Sequence, residues 1–313
     1  MNPLRSLRRA VPEPIKRLAR RLTRDARLAR ALTPYLPELV CVDVGASYFP
    51  HAKWRLFLQS ARTHWIAVEP NQDNLGYTKS WAWPSRISCC TTGLSREGGR
   101  QTLYVTNVDS GSSLLEPVVS ESMSRRMLHL DYLFPVRTRE IETVTLAQVL
   151  DGVDPGAPSF VKLDTQGTEL SILSGAEQLI RSRRIMGIEL EATLLAQPVM
   201  RGSGRFWQAC QYLEDLGLEL LQVHPIYGPT RFGVQRPRGV TYLNECDAVF
   251  AVRADIARTL STEQRTGLLV FYLCNRLFEE ALMLLADDGA VSTYLSGRGC
   301  DLQSLNNAIK ALA

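Results

Sequence analysis

The feature that most constrains this chain is an alternation that begins at Glu38. Short apolar runs at Leu39–Val44, His64–Val68, Ile87–Thr91, Phe160–Leu163 and Met186–Leu190 take turns with helical stretches at Lys53–Ser60, Asp73–Ser80 and Glu169–Arg181. Strands separated by helices cannot close as tight hairpins. They pair in parallel through crossovers, nearly always right-handed, and the helices cover both faces of the sheet. The sequence therefore predicts a doubly wound α/β fold with a mainly parallel sheet. Two further runs, Gln101–Val105 and Arg137–Val144, read as strands with no regular helix between them. They predict a β-rich insertion that ends at Thr145, placed to cap the helix LAQVL. The intervening segment Pro117–Phe134 is expected to act as a lid.

The flanks differ from this body, and the pattern divides the chain into an arm (1–37), an α/β domain (38–254) and a helical extension (255–313). Residues 1–30 hold ten Lys/Arg against two acids, a net +8 where the whole chain carries +4, so the remainder is mildly acidic. Ile15, Leu18, Leu22, Ala26 and Ala29 fall on one helical face and arginines fill the other. The plain expectation is a solvated basic helix lying on the body; the sharper one is peripheral contact with an anionic membrane face or an acidic glycan. Beyond 254 the chain turns helical from Ser261 to Ala286 and again at its end. The apolar run Gly267–Cys274 falls short of the roughly 20 residues that span a bilayer. It reads as a buried helix or an interface, and Leu268–Leu285 suits a homodimer contact or a self-packed cap equally.

Composition excludes some function classes. Seven cysteines with no C-x-x-C spacing fit reduced thiols in the cytoplasm rather than a disulfide framework or a cysteine zinc site. His51, His64, His129 and His224 share no ligand spacing, so no metal is expected. Outside the arm nothing interleaves cations with base-stacking aromatics, which argues against a nucleic-acid partner. The basic start has no apolar core behind it, so no secretory signal is expected.

In open α/β sheets ligands bind beyond the carboxyl ends of the strands, which makes those ends the informative positions. The first strand closes as V-C-V-D-V-G-A, placing Asp43, Gly45 and Ala46 there. The second closes as V-E-P, with Glu69 twenty-four residues after Gly45 and Pro70 behind it. An acid at about that spacing suits the two hydroxyls of a ribose. The turn G-A-S-Y-F-P lacks the second and third glycines of a dinucleotide fingerprint, and Asp43 would repel a pyrophosphate. A sulfonium nucleoside, net positive at its reactive end, suits that acid. S-adenosylmethionine is therefore preferred over NAD, and an NAD-type oxidoreductase is the less favoured alternative. The fourth strand and its turn read F-V-K-L-D-T-Q-G-T-E-L, with Asp164 at the strand end and Glu169 in the first helical turn, where it either caps the helix or serves the site. The fifth ends I-E-L-E; Glu189 and Glu191 point the same way, toward an acceptor or toward Arg181, Arg183 and Arg184.

Taken together these pieces resemble the FkbM family of S-adenosylmethionine-dependent methyltransferases. The resemblance runs from about Val40 to Phe250 and is most specific at V-K-L-D-T-Q-G-T-E-L with L-x-G-A (Leu173, Gly175, Ala176) after it. It is supported by D-V-G-A, V-E-P, T-G-L-S (Thr92–Ser95), G-S-S-L (Gly111–Leu114), V-T-L (Val144–Leu146), I-E-L-E and C-D-A-V-F (Cys246–Phe250). It implies a Rossmann-like class I methyltransferase with a seven-stranded sheet whose last strand is antiparallel. It also implies methyl transfer to a hydroxyl of a sugar, glycan or secondary metabolite. Asp43, Gly45, Ala46, Glu69, Pro70, Gly93, Leu94 and Asp164 would then hold the cofactor. Asp164 is the leading catalytic residue, with His224, which follows L-L-Q-V, as alternative base and Glu189 as a third candidate. One departure stands out: many members carry a second glycine soon after D-V-G-A, where this chain has Ser47-Tyr48-Phe49-Pro50. A scaffold that keeps the fold without catalysis is the competing account.

Overall fold

Apolar residues of both parities along the strands require cover on two faces, and the structure supplies it. The structure is a computed structural model that describes residues 24–50, 52–72, 74–76, 83–118, 134–227 and 243–313. Residues 1–23 of the arm, most of the expected Asp73–Ser80 helix, the body of the expected lid, His51 and His129 lie outside them.

In chain order the strands are β1 (Leu39–Val44), β2 (Thr63–Val68), β3 (Arg86–Cys90), β4 (Gly93–Leu94), β5 (Gly99–Thr106), β6 (Pro135–Val144), β7 (Ser159–Leu163), β8 (Ile185–Thr193), β9 (Leu218–Tyr227) and β10 (Leu243–Val252). Seven form one sheet in the order β3-β2-β1-β7-β8-β10-β9. The five from β3 to β8 run parallel, and β10 runs antiparallel to both its neighbours. This is the doubly wound sheet with an antiparallel last strand that the resemblance implies. The winding reverses between β1 and β7, so a ligand crevice is expected above their carboxyl ends.

The helices follow as α1 (residues 24–32), α2 (Arg55–Leu58), α3 (Leu146–Val149), α4 (Glu169–Gly175), α5 (Glu177–Arg181), α6 (Phe206–Asp215), α7 (Ala254–Ala257), α8 (Thr262–Cys274), α9 (Phe278–Asp287), α10 (Gly289–Gly297) and α11 (Leu302–Lys310). On one face Val40, Val42, Val44, Val161 and Leu163 pack with Leu146, Ile172, Ile180 and Leu213. On the other, Leu39, Cys41 and Phe160 pack with Leu28, Leu32, Trp54, Phe57, Leu268, Phe271, Leu295 and Ile309. Arm, domain and extension therefore share one core, and Arg276 pairs with Asp25 (3.2 Å) across the arm–extension contact. The run Gly267–Cys274 is a buried helix, begun by a capping box in which Ser261 accepts from Gln264 N at 3.2 Å.

Three expectations change in detail. The Lys53–Ser60 helix shortens to a 3-10 turn, Ala52–Trp54, and α2. The Glu169–Arg181 helix breaks at Ala176, just after Gly175, which sits against the Arg96 carbonyl with no room for a Cβ. The β-rich insertion is a separate three-stranded sheet, β4-β6-β5, closed as expected by Thr145, whose side chain accepts from Gln148 N at 3.1 Å.

Phe271 in α8 stacks on Phe160 of β7 (ring centroids 5.1 Å apart) and meets Trp54 at 5.8 Å. Phe271→Ala is expected to cost about 3–5 kcal/mol by urea denaturation, in a single transition. A separate low-stability transition assigned to the extension would contradict the shared core.

Candidate active site

At the switch point the carboxyl ends of four strands, β7, β1, β2 and β3, are tied together by backbone bonds. Asp164 N donates to Val44 O (3.1 Å), Gly45 N and Ala46 N to Val68 O (3.0 and 3.2 Å), and Glu69 N to Cys90 O (3.0 Å). Gly45 has φ 76°, and a Cβ there would overlap the Asp164 carbonyl. Its glycine is thus set by the approach of two strand ends as much as by any ligand. The residue in the departure from the family pattern, Tyr48, takes φ 61°, a left-handed conformation that glycine adopts freely and a bulky side chain rarely does.

Above these ends opens a cavity of about 220 Å³. Its floor is Val44, Gly45, Val68, Glu69, Pro70, Asp164 and Thr165; Gly93 and Leu94 form a side; Leu103, Val105, Ile141, Arg137 and Arg139 of the small sheet, with Ser110, Ser112 and Ser113, form the opposite wall. The insertion therefore roofs the switch point. Glu69 is nearly buried and accepts from Asn71 N through Oε1 (2.9 Å). Asp164 is more open, its side chain 41% exposed, with Lys162 Nζ 3.4 Å from Oδ2 and Gln166 Nε2 3.2 Å from Oδ1.

Beneath the cavity lies a buried charge network. Asp43, Lys162 and Glu189 are register partners on β1, β7 and β8, so their side chains leave the same face of the sheet. Lys162 Nζ stands 3.6 Å from Asp43 Oδ1 and 3.4 Å from Asp164, joining a buried carboxylate to one in the cavity floor. Burial by itself would lower the Lys162 pKa, but the charges of Asp43, Asp164 and Glu189 overcome it and hold the ammonium protonated. Burial pushes the Asp43 carboxyl up to about 6, against the downward pull of Lys162. Glu189 is closed off: Lys53 Nζ lies 2.6 Å from one oxygen and Trp54 Nε1 donates to the other at 2.7 Å.

Several sequence expectations are corrected here. Asp43 and Ala46 do not line the cavity; Asp43 sits below it on Lys162 and Ala46 packs in the core. Glu189 is buried on Lys53 and Trp54, not on Arg181, Arg183 or Arg184, and does not face the acceptor space. His224 is exposed on the edge strand β9, opposite Asp247, with β10 and β8 between it and β7, so it cannot reach Asp164's neighbourhood. Glu169 is a structural acid: it accepts from Thr165 N (2.7 Å), Thr165 Oγ1 (2.9 Å) and Gly167 N (3.0 Å), fixing the turn after β7. Gly45, Glu69, Pro70, Gly93, Leu94 and Asp164 do come together around one cavity. Sequence reasoning missed Lys162, Lys53 and Trp54; a lysine two residues before Asp164 in a strand shares its face, and that period was the available signal.

A second acidic group lies beside Asp164. Glu191 accepts from Gln166 Nε2 at 2.7 Å, and its pKa is raised by burial and by Asp164, Glu245, Glu169 and Asp247. Among the described residues no group of acids, histidines or cysteines is arranged to hold a metal.

The FkbM methyltransferase domain matches residues 43–219, more than half of the chain, and the protein belongs to that family. It is thus a methyltransferase whose methyl donor is S-adenosylmethionine, and the oxidoreductase alternative falls. No curated protein matches the chain. Among solved structures it is similar to precorrin-6y C5,15-methyltransferase from Geobacter metallireducens, at 13% identity over 74% of this chain and 88% of that one, TM-score 0.34. It is also similar to an S-adenosylmethionine-dependent methyltransferase from Anabaena variabilis, at 12% identity over 71% and 79% of the two chains, TM-score 0.31. No helix among the described residues is long and apolar enough to cross a membrane, and all seven cysteines are free thiols.

Two outcomes test the network. Lys162→Met leaves buried carboxylates without their cation and is expected to cost about 3–5 kcal/mol by urea denaturation. Adding Asp43→Asn to it should recover much of that loss; a Lys162→Met protein as stable as the parent would contradict the network. Burial, with Glu169, Asp164 and Asp247, lifts Glu245 from 4.5 to about 7. Its folded form holds a proton more tightly than its unfolded form, so this group's contribution to stability falls as pH rises from about 4.5 to about 7. The loss of thermal midpoint across that window should be smaller in Glu245→Gln, and an unchanged loss would count against the buried acidic group.

Proposed function

We propose that the protein methylates a hydroxyl oxygen of a small acceptor, such as a sugar or a secondary metabolite, in the cavity above β1 and β7. The observation that carries this reading is the pairing of two carboxylates on one cavity floor, nearly buried Glu69 and open Asp164. Glu69 at the end of β2 suits the ribose hydroxyls of the donor, and Val44, Val68 and Leu94 give its base an apolar bed. Pro70 and Gly93 complete that end. When bound, the donor supplies a methyl group on a sulfonium that departs as a neutral thioether.

Asp164 stands at the other end, beside the open space. Lys162 and Gln166 each hold one of its oxygens, fixing the carboxylate while each oxygen keeps a further lone pair. A hydroxyl hydrogen-bonded there is aligned by it, and as the oxygen–methyl bond forms the hydroxyl proton passes to Asp164. Alignment of this kind is worth roughly 7–11 kcal/mol, and proton removal adds roughly 10²–10⁴-fold. The roof of Leu103, Val105 and Ile141 keeps water from the methyl group. The free thiols fit a cytoplasmic setting.

The test separates the two acids. Glu69→Ala is expected to weaken S-adenosylhomocysteine binding by about 10- to 100-fold in calorimetry, corresponding to roughly 1.5–3 kcal/mol. Asp164→Asn is expected to keep that affinity while cutting methyl transfer to a hydroxylated acceptor by about 10²-fold or more. Full activity in Asp164→Asn would sink the base assignment, and no binding of the adenosyl ligand by the parent protein would favour the scaffold account.

A further inference from the structure

The two faces of β6 differ in how their charges are met. On the outward face Glu140 accepts from Thr102 Oγ1 at 2.6 Å and lies 4.0 Å from Arg100. Positions 137, 139 and 141 share the opposite face, and all three line the cavity. Ile141 is the inner end of this row, because its Cδ1 lies 2.9 Å from where a Cβ on Gly93 would stand. Arg139 and Arg137 stand about 7 and 13 Å farther along the strand. Both are exposed, opposite Leu103 and Val105 on β5. Neither forms an ion pair among the described residues, although Glu69 and Asp164 line the same cavity. Two guanidiniums side by side on one face repel each other unless an anion lies between them. Ser110 and Ser112 add hydroxyls to the same wall.

We propose that Arg137 and Arg139 bind a carboxylate or phosphate carried by the acceptor, so that the enzyme selects hydroxylated acids or phosphorylated sugars over neutral ones. A guanidinium presents a planar fork of donors that fits either group in a bidentate way. The pair lies outward of the Gly93–Glu69 end, where the donor's nucleoside is assigned, which leaves it to the acceptor. The inference rests on the methyl-transfer reading of this cavity.

The experiment uses the full chain loaded with S-adenosylhomocysteine and titrated calorimetrically with glucose 1-phosphate, glucuronate and glucose. At least one anionic sugar is expected to bind about ten-fold or more tighter than glucose, and the two anionic arms tell phosphate from carboxylate. R137Q/R139Q should abolish that preference while S-adenosylhomocysteine affinity stays within about ten-fold, which also shows that the variant is folded. No preference for either anion, or a preference that survives the double substitution, overturns the proposal. So does a larger loss of S-adenosylhomocysteine affinity in the variant, which would put the arginines on the cofactor's own carboxylate. Failure of the parent protein to bind S-adenosylhomocysteine would instead sink the methyl-transfer reading.

Discussion

The site depends on one ammonium group. Lys162 sits between Asp43, buried under the first strand's turn, and Asp164, which opens to the cavity. Removing an acid from water is unfavourable unless a cation is near, and a single lysine meets that need for residues on two neighbouring strands. Its position follows from register: Asp43, Lys162 and Glu189 are direct cross-strand partners. Glu189 has its own cation in Lys53 and a donor in Trp54, both in the segment after the β1 turn. The strand ends, that segment and the helical layer behind it are therefore joined through charge as well as through apolar packing.

The layer behind is contributed from both chain ends. Helix α1 and helices α8 to α11 pack on the sheet face that carries Cys41 and Phe160, while α3 to α6 cover the face beneath the cavity's apolar floor. The small sheet β4-β6-β5 then roofs the switch point. Helices brace the strand ends from two sides, and the insertion between β4 and β7 shapes what enters.

Much of the fold was legible because its signals are periodic. Alternating strands and helices foretold the winding, and the paired runs at 101–105 and 137–144 foretold the insertion. Gly45, Glu69 and Asp164 were legible because the crevice lies at strand ends. Residues whose roles depend on which face they leave, or on a partner far along the chain, were not. Asp43 read as a ligand contact because it is acidic and at the right strand end; its side chain points to Lys162 instead. His224 followed a run that looked like a strand end, but β9 continues to Tyr227 and lies at the sheet's edge. Glu189 is separated from Trp54 by 135 residues, a contact no local pattern encodes. Arg137 and Arg139 are indistinguishable in sequence from a solvated strand face, and only the placement of the small sheet turns them toward the cavity.

A crystal structure with S-adenosylhomocysteine tests the proposal that Glu69 and Asp164 mark the two ends of one donor site. The ribose hydroxyls should lie on Glu69, the base against Leu94, and the sulfur should face Asp164. A ligand bound in another groove, or one turned so that its sulfur points away from Asp164, would contradict it.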